Sequence, residues 1–98
     1  MSSTASISPV TGPKTAEQIA SELERFLRAS FEIPDDDAAF TREVDLFGEG
    51  YVDSVGVVEV VTFLESRYGV TIPEDSLFDP RFTCIRGMAE IVAGLTKS

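Results

Sequence analysis

Three stretches of this chain space their apolar residues at helical intervals. In the first, Ile19, Leu23, Phe26 and Leu27 fall at i, i+4, i+7 and i+8, with charged side chains between them. Thr15 with Gln18 three positions on forms a capping-box pattern, and Pro34 disfavours helix just before it, so this helix ends near Ser30. In the second, Val57, Val60, Val61, Leu64 and Tyr68 make one apolar stripe, while Val55, Val58 and Thr62 line a narrower one beside it. Asp53 suits the N-cap of this helix and Gly69 its left-handed C-terminal end. The β-branched residues of the segment favour a strand by propensity. Against a strand stand Glu59, the failure of alternation and the caps at both ends, so helix is expected. In the third, Ile85, Met88, Ala89, Val92 and Leu95 keep one face apolar, with Thr83 as the expected cap and Cys84 in the first turn.

The intervening segments are less regular. Phe31 to Val52 has no sustained period, yet Phe31, Ile33, Phe40, Val44, Leu46, Phe47, Tyr51 and Val52 are too apolar for a solvated linker. A long loop lying across the core is expected. Val70-Thr71-Ile72-Pro73 reads as an extended connector, and Glu74 to Leu77 as one helical turn that Asp79-Pro80 ends. The fold class predicted is all-α: a small antiparallel four-helix bundle, three main helices and one short one, with a long first loop. Residues 1–14, rich in Ser, Thr, Pro and Gly, read as a disordered leader, leaving 15–96 as the single folded domain.

Composition narrows the chemistry. Eight basic residues against seventeen acidic ones give a net charge of −9, which argues against nucleic acid and anionic membranes as partners. There is no histidine, so a Ser-His-Asp hydrolase, a Cys-His nucleophile and a histidine-ligated zinc site are all excluded. Cys84 is the sole cysteine and fits a small half-buried residue in a reducing cytoplasm. No signal peptide or membrane span is evident, and a cytoplasmic location is expected. The acidic loops fail as EF-hands: counted from Asp35 the sixth residue is Phe40, and counted from Asp45 the twelfth is Gly56. Val52-Asp53-Ser54-Val55-Gly56 lacks the first glycine of a nucleophile elbow and has no imidazole to activate Ser54. What remains is a serine at the first position of a capped helix, where the macrodipole favours a phosphate.

The stretch Leu46-Phe47-Gly48-Glu49-Gly50-Tyr51-Val52-Asp53-Ser54-Val55-Gly56, with the valine-rich helix after it, resembles the phosphopantetheine attachment region of acyl and peptidyl carrier proteins. The connector Tyr68 to Pro73 and the run Phe82-Thr83-Cys84-Ile85 are similar to the same family, and the likeness extends over roughly Ala16 to Leu95. The resemblance implies a non-enzymatic carrier. Ser54 would receive 4′-phosphopantetheine from coenzyme A through a phosphodiester. Asp53 would serve transferase recognition as well as capping. Val55, Val58, Glu59, Thr62 and Glu65 would form the partner-docking face of the long second helix. The implied partners are a phosphopantetheinyl transferase, a loading ligase or acyltransferase and downstream synthases or transferases, acting on a monomer.

Two departures from the fatty-acid version stand out. Gly56 takes the place of an acid, and Ser66-Arg67 follow Glu65 where acids are usual. These point toward carriers of polyketide, nonribosomal-peptide or other specialised pathways such as antibiotic biosynthesis, including those loaded by an adenylating ligase. A fatty-acid carrier and an unmodified helical interaction module are the alternatives. Gly56 is expected to let a partner backbone approach closely. The stripe Val55, Val58 and Thr62 is read as a contact face, its competing role being packing against the long loop.

Overall fold

In the computed structural model, which describes residues 15–96, the first helix α1 runs Ala16–Ser30. Its start is the reciprocal box expected: Thr15 Oγ1 accepts from the Gln18 amide at 3.1 Å, and Gln18 Oε1 accepts from the Thr15 amide at 3.0 Å. Its end is less ordinary. The Ile33 amide reaches back to the Arg28 carbonyl at 3.0 Å, a Schellman closure that places Glu32 in the left-handed region at φ 55°. The helices that follow are α2 (Ser54–Tyr68), the one-turn α3 (Glu74–Leu77) and α4 (Ile85–Thr96). Every regular element among the described residues is helical. The leader predicted for 1–14 lies outside them.

Phe26 stacks on Phe63 with ring centroids 4.1 Å apart, and the Tyr68 hydroxyl bonds Glu22 while Phe31 meets Gly56. These contacts run α1 and α2 antiparallel. Burial, and then the bond to Glu22, hold the Tyr68 hydroxyl well above the usual phenol range. The start of α4 lies at the same end as the start of α1. The Arg86 amide donates to the Arg42 carbonyl, while the Arg42 guanidinium binds Glu17, Glu24 and Ser21 on α1. Arg86 pairs with Glu43 there as well. Hydrogen bonding to Arg42 holds the Glu17 carboxyl below its usual range.

The core contains Ile19, Leu23 and Leu27 from α1, Val60 and Leu64 from α2, and Ile85, Met88 and Val92 from α4. The long loop adds Ile33, Phe40, Leu46 and Val52, so it does lie across the core. It is held by the Leu46 amide on the Thr83 carbonyl at 2.8 Å and by the Tyr51 hydroxyl on Asp37 at 3.0 Å. No buried polar or charged side chain interrupts this core among the described residues.

Two details differ from the sequence expectations. A 3-10 segment, Pro80–Thr83, precedes α4, and Thr83 does not cap that helix, because its hydroxyl donates to the Pro80 carbonyl. Cys84 takes the cap position instead, its sulfur accepting from the Gly87 amide at 3.4 Å. Gly87 then lets α4 ride directly on the 3-10 backbone: a Cβ there would lie 1.8 Å from the Arg81 carbonyl oxygen.

Candidate functional site

The start of α2 is fixed by one carboxylate. Asp53 is extended, at φ −103° and ψ −174°, and its Oδ1 accepts from the Gly56 amide at 2.7 Å. Its own carbonyl accepts from the Val57 amide at 3.0 Å, which closes the first turn. Ser54 therefore occupies the first helical position, and it is exposed. No acidic side chain lies in that first turn, so the positive end of the helix dipole is offset only by the capping carboxylate. The arrangement presents a hydroxyl to solvent, and the neighbouring carboxylate, Asp53, is engaged in capping. Such a hydroxyl is open to modification by a separate enzyme and has no histidine in the chain to activate it.

The two stripes of α2 separate as their spacing suggests. Val60 and Leu64 are fully buried, with Val57, Val61 and Tyr68 half-buried. Val55 at 71% exposure, Val58 at 63% and the exposed Thr62 face away from the core, so this second stripe does not pack under the long loop. Ser54 lies between two different surfaces. On one side runs an open apolar groove of about 700 Å³, walled by Phe47, Val57, Val58, Val61, Leu77 and Phe78, with Asp53 and Ser54 at its edge. On the other is a smaller hollow of about 200 Å³ lined by Phe31, Tyr51, Val55 and Glu59.

The remaining site residues divide. Glu59 is exposed and has no ion pair among the described residues. Glu65 is half-buried, and its carboxylate accepts from the Ile72 amide at 2.9 Å, holding the connector to the end of α2. Gly56 corrects the sequence reading. It is buried, and a Cβ there would lie 2.8 Å from the Phe31 ring edge, so its lack of a side chain accommodates an internal contact rather than a partner's backbone. Leu77 and Phe78 were not singled out by sequence. Phe78 is 80% exposed and Leu77 37%, and both wall the groove. The available signal was an apolar pair outside any helical stripe, directly before Asp79-Pro80.

Residues 17–92 match the sequence profile of a family described as "Phosphopantetheine attachment site". Two curated relatives are similar over part of the chain. One, a D-alanyl carrier protein of Bacillus velezensis, is 42% identical over 31 residues, which is 32% of this chain and 40% of that relative. Another, a D-alanyl carrier protein of Streptococcus suis, is 42% identical over 38 residues, 39% of this chain and 48% of that relative. The aligned part thus spans less than half the length of either relative. No solved structure matches the chain significantly.

Proposed function

The chain belongs to the phosphopantetheine attachment-site family, and from that premise we propose that Ser54 is the residue on which it carries the group. Proteins of this family are tethering domains and not catalysts, and the cofactor is 4′-phosphopantetheine, covalently attached. The observation that carries the assignment is the exposed Ser54 hydroxyl at the capped, positively polarised start of α2. A phosphodiester suits this place, since the first turn holds no acid apart from the cap and the Asp53 carboxylate is engaged by the Gly56 amide.

In the loading reaction Ser54 Oγ forms a bond to the pantetheine-bearing phosphorus of coenzyme A. The pyrophosphate bridge breaks, 3′,5′-adenosine diphosphate leaves, and the hydroxyl proton passes to a base of the transferase. The chain has no histidine to act as that base, which is why a separate enzyme is needed. Once attached, the arm supplies a terminal thiol that holds an acyl or aminoacyl group as a thioester. The protein's own part is positional. Asp53 fixes the first turn, the buried face of α2 keeps the helix start stiff, and the exposed face meets partners.

The cargo we infer is a small aminoacyl or acyl group delivered by an adenylating ligase, within a specialised pathway. Support comes from the printed names of the two relatives and from Gly56, Ser66 and Arg67 standing where fatty-acid carriers tend to be acidic. The whole protein's partners would be a phosphopantetheinyl transferase, that ligase and a downstream transferase or synthase. No described helix is long and apolar enough to cross a membrane.

The test is incubation with coenzyme A and a broad-specificity phosphopantetheinyl transferase, followed by intact-mass measurement. The expected result is the gain of one phosphopantetheinyl group by the natural chain and none by Ser54→Ala. An equal gain in Ser54→Ala would overturn the assignment.

A further inference from the structure

Exposed apolar side chains lie on both sides of Ser54. Val58 and Phe78 stand on the groove side, 63% and 80% exposed, and Val55 stands on the other side at 71%. A phenylalanine this exposed at the rim of an apolar groove costs free energy in water unless something covers it. Three occupants are conceivable: a second copy of the chain, the tethered cargo, or the enzyme that acts on Ser54.

The net charge of −9 opposes pairing of two copies across this face. Cargo lying within the groove would cover its half-buried floor, Val57 and Val61, yet could not reach Val55, which lies outside the groove in the opposite hollow. Only a body that covers the end of α2 touches Val55 and Phe78 together. An enzyme acting on Ser54 Oγ must do so. The charge pattern describes its surface too. The one charged side chain lining the groove, Asp53, is engaged in capping, while Glu59, Glu74 and Asp75 are exposed on the flanking helices.

We propose that Phe78, which lines the same groove as Val58, is the hydrophobic anchor by which this chain holds its phosphopantetheinyl transferase, and that the transferase offers an apolar socket bordered by basic residues. This rests on Ser54 being the modified residue. Phe78 is a docking residue and takes no part in the bond-making step. A central aromatic anchor controls how long the complex lasts, whereas the bordering acids control how quickly it forms. Replacing the ring therefore raises KM and leaves kcat nearly unchanged.

The experiment measures formation of modified protein at saturating coenzyme A for the natural chain, Phe78→Ser, Phe78→Leu and Ser54→Ala, at low and at high salt. Phe78→Ser is expected to lower kcat/KM about tenfold, mainly through KM and by the same factor at both salt levels. Phe78→Leu should recover most of the loss. Thermal melts should coincide, because the ring is solvated in the free chain. A Phe78→Ser rate within about twofold of the natural one, on a chain that is modified normally at Ser54, overturns the anchor and leaves the Ser54 assignment standing. Failure of the natural chain to be modified, or modification of Ser54→Ala, overturns both. Concentration-dependent dimerisation that Phe78→Ser abolishes would assign the ring to a second copy. A defect seen only when the arm bears an apolar acyl group would assign it to cargo. Either result overturns the anchor.

Discussion

The two ends of this bundle are built on different terms. Where α1 and α4 begin and α2 finishes, side chains are tied to one another: Arg42 joins Glu17, Glu24 and Ser21, Arg86 joins Glu43, and Arg67 and Tyr68 share Glu22. Where α2 begins, one carboxylate caps the helix, and Val55, Val58 and Phe78 face solvent. The individual surface ion pairs add little each. Together they fix the long loop and α4 against α1, so the helix start at the opposite end stands on a rigid frame. The difference teaches that rigidity and exposure can be assigned to separate ends of a domain this small.

The contrast is broken most severely on α2 itself. Leu64, fully buried on its inner face, should cost ~2–5 kcal/mol of stability as Leu64→Ala, whereas Val58→Ala on its outer face should stay within ~0.5 kcal/mol, both by urea unfolding. Equal losses at the two positions would mean the outer stripe supports the fold. Two glycines sharpen the comparison next. Gly87→Ala drives a methyl group into the Arg81 backbone, which cannot yield, and should lower stability by about 2 kcal/mol despite the gain in helix propensity. Gly56→Ala meets the half-exposed Phe31 ring, which can turn aside, and the capping Asp53 carboxylate at 3.2 Å, so stability should fall by only about 1 kcal/mol. An effect of opposite sign is expected at Glu32. Glu32→Gly should stabilise by ~0.5 kcal/mol, since glycine relieves the left-handed strain there but adds unfolded-state entropy.

Much of the frame was legible because its signals are local. The Thr15–Gln18 box, the Asp53 cap, the Gly69 terminus at φ 65° and the two faces of α2 each depend on residues within a few positions of one another. What escaped depends on distant partners. Local sequence leaves Gly56 as a point of external approach, because Phe31, which lies against it, is 25 positions earlier in the chain. Cys84 displaced Thr83 as the cap because Pro80–Thr83 winds into its own 3-10 turn, which draws the Thr83 hydroxyl back to Pro80. Phe78 follows no periodicity, so only its position opposite α2 gives it meaning. The Ser54 hydroxyl itself was nameable from sequence, and its surroundings were not.

The grip of Glu65 on the Ile72 amide has a wider reach than its place at the far end of α2 suggests. With the buried Ile72 side chain and the left-handed Gly69, that bond holds the connector that leads from α2 to α3, and α3 ends at the Leu77 and Phe78 wall of the groove that Val58 also lines. A residue about three turns from Ser54 is thereby tied, through the connector, to the far wall of the groove beside it. Selection for a differently shaped visitor could act there without altering any side chain the visitor touches.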